Sequence, residues 1–458
     1  MERQFNSVPM GKLVLKLGIP AMAAQFFNIL YSIVDRIFVG NIAGQGNLAL
    51  ASVGVCAPAV TCVSAFAFMI GIGGSAIMSM SIGRGDKVKA QKTINNALVM
   101  LIGISVLVTA AVLAVKKPLL YLLGCSDKMY PFADRYFTIY VLGTVFSLIG
   151  IGMNQFILAQ GYARQGMISV IIGAIVNIIL DPVMIFGLKM GIAGAALATV
   201  IAQICTMIYV LRFLRRKDIP VRVGTGGYEF SLMKNIVTIG IMSFLITLLD
   251  NMILIILNMQ LRRYGGDAMG DTFIACAAIV QSFMVLINSP GQGIASGCGT
   301  LFSYHYGAGN YRKVMEAFKG VFILCASFIA VLWVVAQFTP EPFVKLFSSD
   351  GSNVEMTSGF LSMYTIGIMG IAVQLAFVDG LTAMGKVRYA MPLSLFRKFV
   401  YLASVFILPA TFNAEAIFYT ATVADIVGST FTLIAFFTFV RPRLRREMEA
   451  SEKVCISG

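Results

Sequence analysis

The stretch "YSIVDRIFVG", residues 31–40, places an aspartate in the middle of an apolar run. A carboxylate at the centre of a bilayer costs about 2.5–3.5 kcal/mol on insertion scales, so such a residue is expected to have a task. Gln25, Asn28, Ser32 and Asp35 follow one another at spacings of three, four and three, which puts them on one face of a helix. A polar stripe ending in a carboxylate reads as the wall of a wet cavity. Interhelical hydrogen bonding, or a pair between Asp35 and Arg36, would also account for it. A second candidate lies in "VNIILDPV", residues 176–183, where Asn177 and Asp181 are one helical turn apart. Pro182 has no N–H and leaves the carbonyl of Ile178 without its helical donor. An amide oxygen, a carboxylate and a freed carbonyl together suit a proton or a hard cation; a proline kink with a capping Asp is the plainer alternative.

The second half of the chain holds Asp250 in "LITLLDNMILII", Asp379 in "LAFVDGLTAMG" and Asp425 in "TATVADIVG". Arg397 and Lys398 are nearby bases that can pair with acids or snorkel to the interface. Asp425 is the acid most readily assigned to a structural ion pair. A single histidine, His305, and scattered cysteines without a CxxC argue against a zinc enzyme, and proton handling falls to carboxylates. "GLTAMGKV" (380–387) has Val387 where a phosphate loop needs Ser or Thr. "GIGGSA" (71–76) has no strand before it, so neither stretch reads as a nucleotide site. No HExxH or GxSxG set is present, and the chain reads as a secondary transporter rather than an enzyme, without cofactor.

The elements that carry these residues follow from composition. Of 458 residues 58% are hydrophobic and 12% charged, at a mean hydropathy of +0.85. Soluble chains carry about 25% charged residues. Twelve apolar stretches are long enough to cross a membrane, at 13–38, 51–78, 93–115, 133–158, 166–188, 191–213, 235–259, 273–301, 314–337, 357–382, 390–410 and 414–440. Lipid offers the backbone no partners and no period-2 strands appear, so the spans are helices. The fold class is an all-α polytopic membrane protein. The net charge of +14 is not a nucleic-acid signal: of the 35 Lys and Arg, 24 fall on the side that holds both termini, eight on the other and three within spans. That asymmetry puts both termini in the cytoplasm.

Short motifs recur at a fixed distance. "GRGDKVK" at 83 is matched by "GAGNYRK" at 307, and "AQGYAR" at 159 by "AMGKVR" at 383, both at an offset of 224; Tyr140 and Tyr364 keep it too. The chain is a duplicated six-helix unit: an amino-terminal lobe, 1–213, a basic linker, 214–234, a carboxy-terminal lobe, 235–440, and a basic tail, 441–458. An even number of helices per unit gives both copies the same orientation, as in parallel-repeat transporters.

With "PAMAAQFFNILYSIVDRIFVG" in the first span, the glycine loop after the second and "NIILDPVMIFG" in the fifth, this 6+6 repeat resembles the multidrug and toxic compound extrusion (MATE) family, in its bacterial DinF-like branch. The resemblance covers essentially the whole chain. It implies a V-shaped pair of lobes around a central cavity in the bacterial cell membrane, exporting organic cations and other amphipathic drugs in exchange for protons or sodium. It also implies coupling-ion roles for Asp35, Asn177, Asp181 and Thr199 in the amino lobe, and for Asp250 and Asp379, as ion or substrate sites, in the carboxy lobe. Gln25, Asn28 and Ser32 would line the cavity. The expected partners are cationic small molecules and the bilayer, with no nucleic acid, and the chain is expected to act as a monomer. A flippase for lipid-linked oligosaccharides, with Arg36, Arg397 and Lys398 receiving the pyrophosphate, is the competing reading.

Overall fold

The computed structural model describes residues 8–42, 46–123, 125–345 and 351–447; the distal tail, 448–458, lies outside them. Among the described residues, eleven helices are long and apolar enough to cross a membrane. In order these include α1 (Met10–Gly40), α2 (Gly46–Gly83) and α3 (Lys87–Leu122). After the bent pair α4 (Tyr130–Leu142) and α5 (Thr144–Ala159) come α6 (Ala163–Pro182) and α7 (Ile192–Leu214). The second half holds α8 (Phe230–Gly266), α9 (Thr272–Gly307), α10 (Tyr311–Phe338), α11 (Val354–Ala383), α12 (Val387–Thr411) and α13 (Ala414–Glu447). The fourth span is not one straight rod: α4 and α5 meet at 53° around Gly143, where an added Cβ would lie 2.4 Å from a methyl of Val200. Counted as one span, that pair brings the number to twelve.

The repeat is a repeat of turn chemistry. Gly85 and Gly309 take φ of +79° and +73°, and Gly161 and Gly385 take +80° and +71°. These are left-handed values that side chains resist, which is why glycine returns at each of these turns. The next helix is capped alike in both copies: Asp86 accepts from the N–H of Lys89 at 2.9 Å and Asn310 from that of Lys313 at 3.1 Å.

Among the described residues two compact units result, one within 23–247, the other within 8–22 and 248–447. They differ from borders drawn at the linker, because the opening halves of α1 and α8 pack within the opposite units. Glycine makes this exchange possible. A Cβ on Gly73 would lie 2.1 Å from the carbonyl oxygen of Ile236, and one on Gly240 1.8 Å from that of Met69, so α2 and the start of α8 meet backbone to backbone. In the other unit Gly293 and Gly297 of α9 meet the carbonyls of Ala21 and Leu17 at 2.6 and 2.8 Å in the same way. "GIGGSA" is thus a helix-packing surface.

The linker is ordered against the amino unit. Asn95 donates to the carbonyl of Gly226 at 3.0 Å and accepts from the N–H of Gly224 at 2.9 Å; Asn96 donates to Gly227 at 2.9 Å and accepts from Glu229 at 3.0 Å. Gln91 reaches the carbonyl of Arg222, and Gln160 accepts from the N–H of Val221 at 3.0 Å. Two adjacent amides satisfy a stretch of backbone that has no secondary structure of its own.

Candidate functional site

α1, α6 and α7 bring four of the sequence candidates together inside the amino unit. Asn177 on α6 donates to Oδ1 of Asp181 at 3.2 Å and, more loosely, to the hydroxyl of Thr199 at 3.4 Å on α7. Both Asn177 and Asp181 are buried, at 1% and 0% exposure. The helix loosens directly after Pro182 into a π turn, Val183–Gly187, a distortion common at functional sites. Asp35 comes from α1, and its carboxyl lies within hydrogen-bonding reach of the Asp181 carboxyl. It meets this acid rather than Arg36, which is exposed.

The pattern of unsatisfied atoms is informative. Asp35 Oδ1, Asp181 Oδ2 and Asn177 Oδ1 are buried acceptors with no donor beside them. Buried acceptors are ordinarily hydrogen-bonded. Two ionised carboxylates in contact repel strongly, so a pair in this arrangement carries a proton or a bridging cation.

Beside the acids is an open cavity of about 430 Å³, lined by α1, α2, α4, α5, α6 and α7 of this unit. Its polar lining is made of amides and hydroxyls, among them Gln25, Asn28, Asn154, Asn177, Thr199 and Gln203, with no Lys, Arg, Asp or Glu. Gln25 and Asn28 therefore stand where the stripe on α1 puts them. Ser32 is not on the wall; Tyr31 is, its long ring reaching in from the flank where a serine hydroxyl cannot. Tyr140, known from the sequence only as a landmark of the repeat, also lines the cavity, with its hydroxyl in reach of Gln203, Ser147 and Ser64. The shared 224-residue offset was the one signal pointing to it. Gln203 shares a face of α7 with Thr199 and Thr206 at spacings of four and three, and Ser64 follows Thr61 by three on α2, so both stand in short polar stripes that the carboxylate-led reading passed over.

The carboxy unit is arranged differently. Asp250 forms an ion pair with Lys398, and Asp425, fully buried, accepts from Nε of Arg397 at 2.8 Å. Asp379 directly follows a π turn, Gln374–Val378, on a different span of the repeat from the π turn beside Asp181. Among the described residues it makes no ion pair, and no contact joins it to Asp250. The two acids expected to act together as a carboxy-lobe site are thus held differently: Asp250 is paired with Lys398 of α12, and Asp379 has no such base among the described residues.

The MatE family model matches residues 20–183 and 241–407, one segment per repeat. The chain is 22% identical over 442 residues to the multidrug export protein MepA of Staphylococcus haemolyticus, covering 96% of both chains. To MepA of Staphylococcus aureus strain MRSA252 it is 22% identical over 453 residues, covering 98% of both. Among solved structures, an outward-facing multidrug resistance MATE transporter of the MOP superfamily superposes with a TM-score of 0.88 at 20% identity, over 98% of each chain. A mutant of the Vibrio cholerae MATE transporter VcmN gives 0.87 at 19% identity, over 94% of this chain and 97% of that one.

Proposed function

Since the chain belongs to the MatE family, we propose that it is a multidrug exporter driven by protons through the Asp35–Asp181 pair. The observation that carries this is the contact between two carboxyls, each with a buried oxygen that lacks a donor, beside a cavity with no charged side chain in its lining. Amides and hydroxyls suit hydrogen-bonding, amphipathic guests, and the neighbouring acid pair supplies negative charge for a cationic group.

In the outward-facing state the pair takes up a proton, which favours release of the guest. Facing the cytoplasm the proton leaves, and the exposed charge receives a cationic drug. Coupling follows only if proton and drug stabilise different states, since a ligand with equal affinity for both shifts nothing. Asn177 and Thr199 hold the Asp181 carboxylate in register as its charge changes. The chain acts in this reading as a monomer in the cell membrane, with both termini cytoplasmic.

The flippase reading needs free bases in a cavity. Arg397 and Lys398 each hold an acid, and the amino-lobe cavity has no basic lining. The test is efflux of a fluorescent organic cation from proteoliposomes under separately imposed proton and sodium gradients. Efflux that follows only the sodium gradient, or that persists unchanged in Asp35→Asn and Asp181→Asn, overturns the proposal.

A further inference from the structure

Consecutive residues on a helix point about 100° apart, so α12 presents two bases in two directions. Arg397 turns to Asp425 on α13 and Lys398 to Asp250 on α8. The Arg397 pair is packed in: a Cβ on Gly428 would lie 2.8 Å from Cβ of Arg397, and one on Gly370 2.3 Å from the carbonyl oxygen of Asp425. The Lys398 pair is lopsided. The lysine side chain is 14% exposed and the Asp250 side chain 51%, so an ammonium held within the lobe reaches a carboxylate whose far side is open.

An open intramembrane carboxylate is what a small cation would bind. Here the ammonium already neutralises it, and an incoming cation would have to strand a largely buried lysine charge, which is strongly unfavourable. We infer that Lys398 is a tethered counter-cation that occupies Asp250 in place of sodium and thereby closes the carboxy lobe to cation coupling. The inference rests on the reading that the amino-lobe pair runs the cycle, and it supplies what that reading leaves open: why the second set of acids does not form a second coupling site. In the amino lobe the two acids meet each other and Asp181 accepts from Asn177, with no ion pair to a base among the described residues; in the carboxy lobe Asp250 and Asp425 each have a base, and Asp379 makes no ion pair there.

The test uses the purified full-length chain, with sodium chloride as the probe against choline chloride at equal ionic strength. The readout is the sodium-specific shift of the thermal midpoint, measured without any gradient. Wild type and Asp250→Asn are expected to show the same response. Lys398→Met should gain a saturable, sodium-specific rise, Lys398→Arg should not, and Lys398→Met with Asp250→Asn should lose it again. A structural salt bridge alone would lower the midpoint without creating a sodium response. The inference is overturned if wild type shows a sodium shift that Asp250→Asn removes, if Lys398→Met gains none, or if the double variant keeps it. Should Lys398→Met fail to fold, the comparison of wild type with Asp250→Asn decides. Failure here leaves proton-driven efflux through Asp35 intact, whereas failure of the coupling reading shows in the Asp35→Asn efflux assay and leaves the sodium shift unchanged.

Discussion

Replacing Asp35 by asparagine changes one carboxyl oxygen for an NH₂ and leaves the shape of the site almost untouched. Its electrostatic effect is large. Two carboxylates in hydrogen-bonding contact, about 3 Å apart, repel by about 5 kcal/mol at an effective dielectric of about 20. That corresponds to a factor of roughly ten thousand against the doubly charged pair near neutral pH. In wild type the repulsion keeps one proton between Asp35 and Asp181 until a cationic guest or a change of state releases it. In Asp35→Asn the repulsion is gone and the new amide donates to Asp181, whose Oδ2 has no donor in the wild type. The Asp181 carboxylate is then satisfied while charged, and proton exchange stops. Efflux driven by a pH gradient is expected to fall at least tenfold in proteoliposomes, while binding of the same fluorescent cation, measured by anisotropy in detergent, changes by less than about tenfold, equivalent to 1.4 kcal/mol. If the variant exports at the wild-type rate under a proton gradient, the shared-proton argument is wrong whatever its other merits.

Gly240→Ala would set a methyl 1.8 Å from the carbonyl oxygen of Met69; overpacking of this kind costs about 1–3 kcal/mol, to be read as a lowered thermal midpoint with the helical circular dichroism retained. Arg397→Met strands a carboxylate with 0% exposure and should destabilise by about 3–5 kcal/mol, and adding Asp425→Asn should recover most of that loss in the same melt. Replacing Asn95 and Asn96 together by alanine removes four backbone contacts to residues 224–229. Tryptic cleavage after Arg222 should then become markedly faster, with no change in cleavage of the 84–89 loop.

How much of this was legible in the sequence depended on the range of the interaction. Asn177 and Asp181 sit on one turn, so a spacing of four was enough to pair them. Asp35 joins them from α1, roughly 140 residues earlier, and only the cost of a lone intramembrane acid pointed to it. The glycine turns were visible as a repeat because backbone φ is a local property; their positive values explain why the repeat is written in glycine. "GIGGSA" lies inside α2, as its apolar context implies, but its partner, the start of α8, is not legible, since no local pattern announces which helix will come so close that a Cβ on Gly73 would lie 2.1 Å from a carbonyl oxygen. The exchange of the α1 and α8 ends was hidden for the same reason. Ser32 shares the direction of the stripe but is not among the lining residues, since helical spacing fixes direction and not reach; Tyr31, off the ideal face, lines the cavity.

The two duplicated lobes have resolved the same difficulty in opposite ways. A buried acid is tolerated if it is neutral, paired with a base, or holding an ion. The carboxy lobe uses the second route twice, from adjacent residues of one helix, and the result is fixed charge that gains nothing by alternating between states. The amino lobe places acid against acid, an arrangement unstable when fully ionised and therefore sensitive to what else enters the site. Only that arrangement gives a proton and a cationic guest a reason to exclude each other, because each relieves the same repulsion. It follows that introducing a base beside the amino-lobe pair, as in Asn177→Lys, should abolish proton-driven efflux even if both aspartates remain and the chain folds. The variant's thermal midpoint, measured alongside transport, separates loss of coupling from loss of fold. Retained proton-driven efflux in a folded Asn177→Lys chain would show that the unpaired state of these acids is not what couples the proton to the drug.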